Sequence, residues 1–433
     1  MVKIIFIIGL ILRLLLPMQR VFNFDQDQIA LNAWEIAHGR LTVLGPQTSN
    51  TSFFTGPLIY YLAAIFYRLT NFHPIANAFT AVFAYILSFW LIKMVLQKLF
   101  KSKLVILFLT FYALSPFFVQ LDRITWNPNF SFLSGSLALT GLLRANYISL
   151  LLGMFFAYQS SYSGFVIVPI LLGCLLLRWC RFRLITAGFL GMAASLLPLL
   201  LFDLKHDFMN FNSLKQFIIN IKGEDLSGFL TRILTVILIN FENFSKIFTA
   251  YFYPQIVLVV LGLVLFICWY CQPRSFFSQK QKQMLLLWMM AFPIAGLFYQ
   301  DDLPEYYFLM QLPALVMMMS DLIYQQLKQK IILIFSFITL VSLGVVVSSA
   351  NGYALKQKYQ ALEYIYNRSA NRPVEIIFDI DYSEQFGWNY LLKYWQINNT
   401  DREKRERIHL VYPFYPETIR DAEFGKIGVY YVR

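Results

Sequence analysis

Residues 57–70 read Pro57-Leu-Ile-Tyr-Tyr-Leu-Ala-Ala-Ile-Phe-Tyr-Arg-Leu-Thr70. The run is apolar enough to enter a bilayer, but a helix needs about 20 such residues to cross the hydrocarbon core. Tyr60, Tyr61 and Tyr67 suit the headgroup region rather than the acyl interior. If this stretch crossed, every basic loop that follows would face the wrong side. Read instead as a helix lying flat in the outer interface, it lets all later segments fall into one alternation.

Working outward, the chain has 433 residues, 58% apolar and 18% aromatic but only 14% charged. A mean hydropathy of +0.56 is far above that of soluble globular proteins. Such apolar content excludes disorder, and four cysteines exclude a secreted disulfide scaffold. The net charge of +12 is scattered between apolar runs, so it reads as membrane topology and not as a nucleic-acid surface. No nucleic-acid partner is expected. The fold class is an all-α polytopic membrane protein with a small C-terminal α/β module.

Apolar runs of spanning length occur at about 4–20, 75–97, 104–121, 128–144, 164–178, 184–202, 254–271, 283–299, 306–324 and 331–350. A shorter one at 147–160 brings the expected count to about eleven crossings. Basic residues mark alternate connections: Lys93, Lys98, Lys101 and Lys103; Arg144; Arg178, Arg181 and Arg183; Arg274, Lys280 and Lys282; Lys328 and Lys330. The opposite turns are acidic or neutral, as at Asp301 and Asp302. The basic set is therefore cytoplasmic, the N-terminus inside and the C-terminus outside. The first segment lacks a small-residue cleavage site and carries Arg13, so it reads as an uncleaved span of a multi-pass plasma or inner-membrane protein.

This topology makes 1–350 a transmembrane domain with a first external loop at 21–74 and a second external segment at 203–253. The first loop would hold helices at about 26–38 and 57–70. The tail, 351–433, is an extracytoplasmic module with 12 Lys/Arg against 11 Asp/Glu. Residues 374–378 and 428–432 look like strands, and 383–396 like a helix. No tandem repeat is evident. All four histidines (His38, His73, His206 and His409) fall outside, and so does any chemistry.

Four outer clusters are candidates. Asp25 and Asp27 follow the first span; a carboxylate beside an apolar cavity suits general-base work, although Asp is equally favoured in the first turn of a helix. Asp122 and Arg123 occupy a tight turn with Trp126 and Pro128, which also reads as an interfacial anchor. Lys205 and His206, flanked by Asp203 and Asp207, offer charge and hydrogen bonds for a phosphate, or simply snorkel. Glu305 and Tyr306 stand at the start of the 306–324 span, where belt tyrosines are ordinary. Arg13, inside an apolar segment, faces a polar partner or snorkels. Cys268 and Cys271 have redox-like spacing but sit at an inner span end, and with Cys174 and Cys180 they read as packing residues. No phosphate-cradling loop, nucleophile elbow or zinc helix is present.

The order of these clusters resembles the GT-C membrane glycosyltransferases that use polyprenyl-phosphate-linked sugars. It is most similar to bacterial relatives of the protein O-mannosyltransferase and aminoarabinose transferase group. The resemblance covers about 5–325 and rests on Phe24-Asp25, the Ala30 to Gly39 helix, Gly56-Pro57-Leu-Ile-Tyr-Tyr-Leu62, Leu114-Ser-Pro116, Asp122-Arg-Ile-Thr-Trp-Asn-Pro128, Phe202-Asp-Leu-Lys-His206 and the Tyr306 to Pro313 segment. It implies an inverting transfer of a hexosyl or pentosyl group on the external face. Asp25 matches the family's first-loop catalytic carboxylate, with Asp27 and Asp122 as supporting acids. Arg123, Lys205 and His206 would hold the lipid phosphate, and Glu305 and Tyr306 would contact sugar or acceptor. The partners implied are a polyprenyl-phosphate-linked sugar donor, membrane lipids, and a glycan, lipid or protein acceptor. Some relatives place a metal-binding Glu just before the Pro of the second surface helix. Thr55 and Gly56 stand there instead, so a divalent metal stays open.

The rival is a transporter or flippase for a lipid-linked saccharide, which would place charges near the midplane and often show two similar halves. A glycan polymerase or a scaffold stands further back.

Overall fold

A computed structural model describes residues 1–47, 53–219, 226–248, 255–272, 275–299, 303–326, 331–349, 353–369, 374–381, 385–397, 406–413 and 421–432. Arg274, Asp301, Asp302, Lys328 and Lys330, used above for topology, lie outside the described residues.

The first helix, α1 (Val2–Leu14), ends early because Leu15 turns extended and Leu16 adopts a positive φ of 50°. Next come the two helices expected within 21–74, α2 (Phe24–Ala37) and α3 (Leu58–Leu69). Both fall where the sequence places them and pack against each other as a hairpin. The long α4 (Ala76–Leu99) is followed by α5 (Ser102–Leu114) and α6 (Pro116–Leu121), one apolar run broken at Ser115 because proline cannot continue the hydrogen-bond ladder. A short 3-10 turn leads into α7 (Ser131–Arg144) and α8 (Tyr147–Ser160), which pack closely against each other. A Cβ on Gly153 would lie 2.4 Å from the Ala138 nitrogen, so only glycine allows that approach.

Then follow α9 (Ile167–Leu176), α10 (Phe182–Asp203), α11 (Met209–Ile219), α12 (Leu226–Lys246), α13 (Gln255–Cys271), α14 (Gln279–Gly296), α15 (Leu312–Gln326) and α16 (Ile331–Ser348). Among the described residues, α4 and α10 are long and apolar enough to cross a membrane on their own. The other expected crossings are shorter helices, several extended by a 3-10 turn or a kinked partner. Cys268 and Cys271 are exposed on α13, while Trp269 between them is buried, so the packing expected of that pair belongs to the tryptophan.

The tail adds α17 (Leu355–Ser369), β1 (Val374–Ile380), α18 (Asn389–Tyr394), β2 (Glu406–Tyr412), β3 (Ala422–Phe424) and β4 (Ile427–Val432). The sheet order is β1-β2-β4-β3, with β1 and β2 parallel and the other pairs antiparallel. The helix expected over 383–396 is only the six-residue α18, and α17, β2 and β3 escaped the sequence reading. β2 follows a Lys/Arg/Glu-rich stretch that hides its alternation.

The tail is not a detached module. Lys358 of α17 is fully buried and donates to the carbonyls of Phe22 (2.9 Å) and Phe386 (2.7 Å). Tyr390 donates its hydroxyl to the Phe72 carbonyl (2.5 Å), and Lys393 pairs with Glu35 (2.8 Å). The tail thus rests on the α2–α3 hairpin.

Candidate functional site

Three arginines organise the C-terminal end of α1. Arg13 is 0% exposed and donates Nε (2.9 Å) and Nη2 (2.6 Å) to the same Asp122 oxygen. Its other hydrogens reach the Gly9, Tyr112 and Ala113 carbonyls, and its guanidinium lies 3.9 Å from the Tyr85 ring centre. The Ala113 carbonyl is freed by the break at Pro116, so the arginine satisfies a backbone group that would otherwise be orphaned. Arg123 donates to carbonyls of Leu12, Leu15, Leu16 and Gln19, capping the end of α1. Arg20 returns to the Arg123 carbonyl (3.2 Å) and to those of Ala78 and Arg13.

Beside these arginines lies a cavity of about 250 Å³, lined by Gln19, Arg20, Gln120, Arg123, Lys246, Glu305 and Ser349 among others. Burial, and then repulsion from Arg13, pushes Arg123 down to about 10. The Arg20 Nε and the Gln19 Oε1 are buried without a partner among the described residues. Across the cavity, Lys246 bonds Glu242 (2.8 Å) and Glu305, while Asn243 donates to the Glu305 carbonyl (3.2 Å).

One turn back along α12, Asn240 and Phe241 open on a second cavity of about 290 Å³. It is almost wholly apolar, formed with Leu263, Phe266, Met289, Leu315 and Met319, and Gln311 adds a buried Oε1 without a partner among the described residues. From Phe241 to Lys246 the helix rises only about 7.5 Å. The polar and apolar cavities therefore share one helix.

Asp25 and Asp27 lie in the first turn of α2, about 200° apart around the helix. Asp25 is accessible and has no hydrogen-bond partner among the described residues, yet surrounding protein desolvates it and raises its pKa. Its charge is felt by Tyr60 of α3, whose hydroxyl is buried beside it. Gln26 donates to the Thr125 carbonyl (3.0 Å), tying this turn to the Asp122–Trp126 turn. Asp27 faces the tail: its Oδ1 accepts the Tyr390 amide at 2.8 Å. Burial raises its pKa, opposed by bonds from Tyr390 and Asn389 and by the Lys358 charge.

The structure brings together some of the residues singled out from the sequence and not others. Arg123 and Glu305 line the same cavity. Tyr306 stacks edge-on to Trp126 at 5.1 Å. Asp122 is consumed by Arg13 and Asp27 by the tail, so neither is a free supporting acid. Lys205 and His206 lie exposed at the end of α10, outside the cavity lining. His206 stacks on Phe202 at 3.9 Å and bonds its carbonyl, and Asp203 turns inward to cap Asn210 and Phe211. The reason is coverage: among the described residues no other element buries that corner. The cavity instead recruits Arg20 and Lys246, which the sequence reading missed. Glu242 four residues before Lys246 was the available signal, a helical pair at the end of an amphipathic run.

Among the described residues no three His, Cys, Asp or Glu side chains gather to hold a metal. At the position where relatives carry a ligand, Thr55 bonds the Pro46 carbonyl (3.0 Å) and Gly56 is packed against Gln159. These residues do not fit a metal.

No protein-family model matches the chain, and no curated protein matches it in sequence. Its fold does match solved structures of ArnT from Cupriavidus metallidurans. The form bound to undecaprenyl phosphate superposes with a TM-score of 0.63 at 11% identity, covering 99% of this chain and 97% of that one. The apo form gives 0.60 at 11% identity, covering 99% and 96%. From end to end, then, this chain shares the fold of ArnT.

Proposed function

We propose that the protein is a membrane glycosyltransferase that moves a sugar from a polyprenyl-phosphate donor to an acceptor on the extracytoplasmic face. The observation that carries this reading is the pair of cavities sharing α12: a desolvated cationic hole beside a greasy groove is what a lipid phosphate requires. Undecaprenyl phosphate bound to ArnT, which has the same architecture, fits that reading.

In the proposed reaction Asp25 takes the proton from an acceptor hydroxyl or amine. The freed lone pair attacks the anomeric carbon from the face opposite the phosphate, and the bond from that carbon to the phosphate oxygen breaks. Its electrons leave with the polyprenyl phosphate, giving inversion. Arg20, Arg123 and Lys246 would stabilise the charge that grows on the leaving phosphate, in a site where low dielectric strengthens each contact. Arg123 keeps its proposed place at the phosphate. Lys205 and His206 would have to be carried there by a large movement of the α10 end, so Arg20 and Lys246 replace them. Glu305 would set the position of Lys246, and Tyr306, beside Trp126, remains the proposed ring contact for sugar or acceptor. The same reading has a multi-pass protein with about eleven crossings, N-terminus inside and tail outside.

Purified protein in liposomes, given polyprenyl phosphates bearing labelled sugars and membrane extract as acceptor, should release free polyprenyl phosphate as label appears on acceptor. Label that crosses the bilayer still attached to its lipid would instead mark a flippase and refute transfer.

A further inference from the structure

We propose that the C-terminal tail is a clamp on the catalytic segment, and that Lys358 is the positioning residue through which it sets the direction of Asp25. The inference rests on the proposed role of Asp25.

A lysine stands where none is tolerated cheaply. Lys358 is 0% exposed, and a buried ammonium persists only when its three hydrogens are satisfied. They are: its Nζ donates to the Phe22 carbonyl at 2.9 Å, the Phe386 carbonyl at 2.7 Å and the Asn23 Oδ1 at 3.3 Å. The Tyr353 and Trp388 rings flank it at 4.2 and 5.4 Å. Two of the three acceptors belong to residues 22 and 23, the last residues before α2. One ammonium thus joins the tail to the chain two residues ahead of Asp25.

Other contacts close on the same segment. Gly387 has a φ of +87°, and a Cβ there would lie 2.0 Å from the Phe22 oxygen and 3.0 Å from the Lys358 Nζ. The Phe386 ring meets Phe24 edge-on at 5.4 Å. On the far side of the turn Asp27 accepts the Tyr390 amide. Residues 22, 23, 24 and 27 are all held, and Asp25 alone in this turn is left accessible and without a hydrogen-bond partner among the described residues. A carboxylate that makes no bond of its own takes its aim from the backbone that carries it, so the clamp determines where it points.

The test compares Lys358→Met, Phe386→Leu and, as control, Lys393→Met, which breaks the outlying pair with Glu35. Displacement of a reacting group by about 1 Å can cost on the order of 100-fold in rate. Lys358→Met should therefore lower kcat by about 10- to 100-fold, with KM for the polyprenyl-phosphate sugar within about two-fold. Phe386→Leu should show a smaller loss of the same kind, and Lys393→Met should leave both constants near wild type. A Lys358→Met enzyme with unchanged kcat, or one whose loss lies in donor KM, overturns the proposal.

Hydrogen exchange on the intact wild-type chain supplies an arm that needs no variant to fold. Amides 23–27 and 388–392 should open together as one unit; opening of 23–27 while 388–392 stay protected refutes the clamp. Wild-type protein that transfers no sugar would sink the proposed reaction and the aiming role of Lys358 with it. The exchange result would still decide whether the tail holds this segment.

Discussion

Two corners of the outer face look alike on paper. Each is a short charged cluster at the end of an apolar run: Asp203, Lys205 and His206 after α10, and Asp122 and Arg123 after α6. In three dimensions they are opposites. The α10 corner is exposed, and its charges either face outward or cap their own chain. The α6 corner is buried under the end of α1, with Lys246 of α12 and Glu305 across a cavity from it. A cation in bulk water attracts a phosphate by about 1 kcal/mol at 4 Å, and several times that where protein replaces solvent. Coverage, not charge, separates the proposed binding site from a solvated end.

The largest way to break this comparison lies beside the buried corner. Asp25→Asn should lower kcat by about 10²- to 10⁴-fold, the span of general-base contributions, while donor binding persists; label transfer from the polyprenyl-phosphate sugar measures both. The same residue predicts a pH effect. A base works only when deprotonated, and desolvation raises the Asp25 pKa above its ordinary 3.8. Activity should therefore be lost as pH falls through that raised value, at a higher pH than for a solvated Asp, and this acid limb should vanish in the Asn variant's residual rate.

Next is the arginine beneath the cavity. Arg13→Met leaves the Asp122 carboxylate buried and uncompensated, at a cost of about 3–5 kcal/mol. Thermal unfolding in detergent should show a large loss, and the double variant Arg13→Met with Asp122→Leu should recover most of it. A single variant as stable as wild type would remove the ion pair as the pin of this corner.

Arg20→Met and Lys246→Met should each weaken inhibition by added polyprenyl phosphate about 10- to 100-fold, as expected for a charged hydrogen bond worth about 1.5–3 kcal/mol. The smallest effect belongs to the exposed corner. Lys205→Ala with His206→Ala should change rate and donor affinity by less than about three-fold, because surface substitutions usually stay within ±0.5 kcal/mol. Should that pair cost as much as Arg20→Met, the two corners have exchanged roles and the phosphate sits at α10.

Much of this was readable before any coordinates. The two helices of the first loop, at Phe24–Ala37 and Leu58–Leu69, fall within two residues of expectation. Apolar length and basic alternation are local properties that the chain carries in its own order. That Asp25 stands in the first turn of a helix was legible for a similar reason, since it follows directly on an apolar run. Its neighbour Asp27 was misread as a second site acid, although a step of two residues turns the side chain to the opposite face. Only the partner on that face, the amide of Tyr390 more than 360 residues later, says what Asp27 does. Lys358 was invisible because a lysine amid polar tail residues looks solvated until Phe22 and Gly387 close over it.

What the order of residues determined by itself was a membrane architecture: where apolar helices begin and end, and that two shorter helices, α2 and α3, follow the first of them. Those outcomes follow from solvent transfer and backbone sterics within a few turns of chain. What the tertiary structure alone decided was the fate of each charge. Arg13 was assigned to Asp122, Lys246 to the cavity with Glu305, and Lys205 to the exposed surface. Pairing energy depends on distance and local dielectric, and both are set by segments that meet only when the chain is folded.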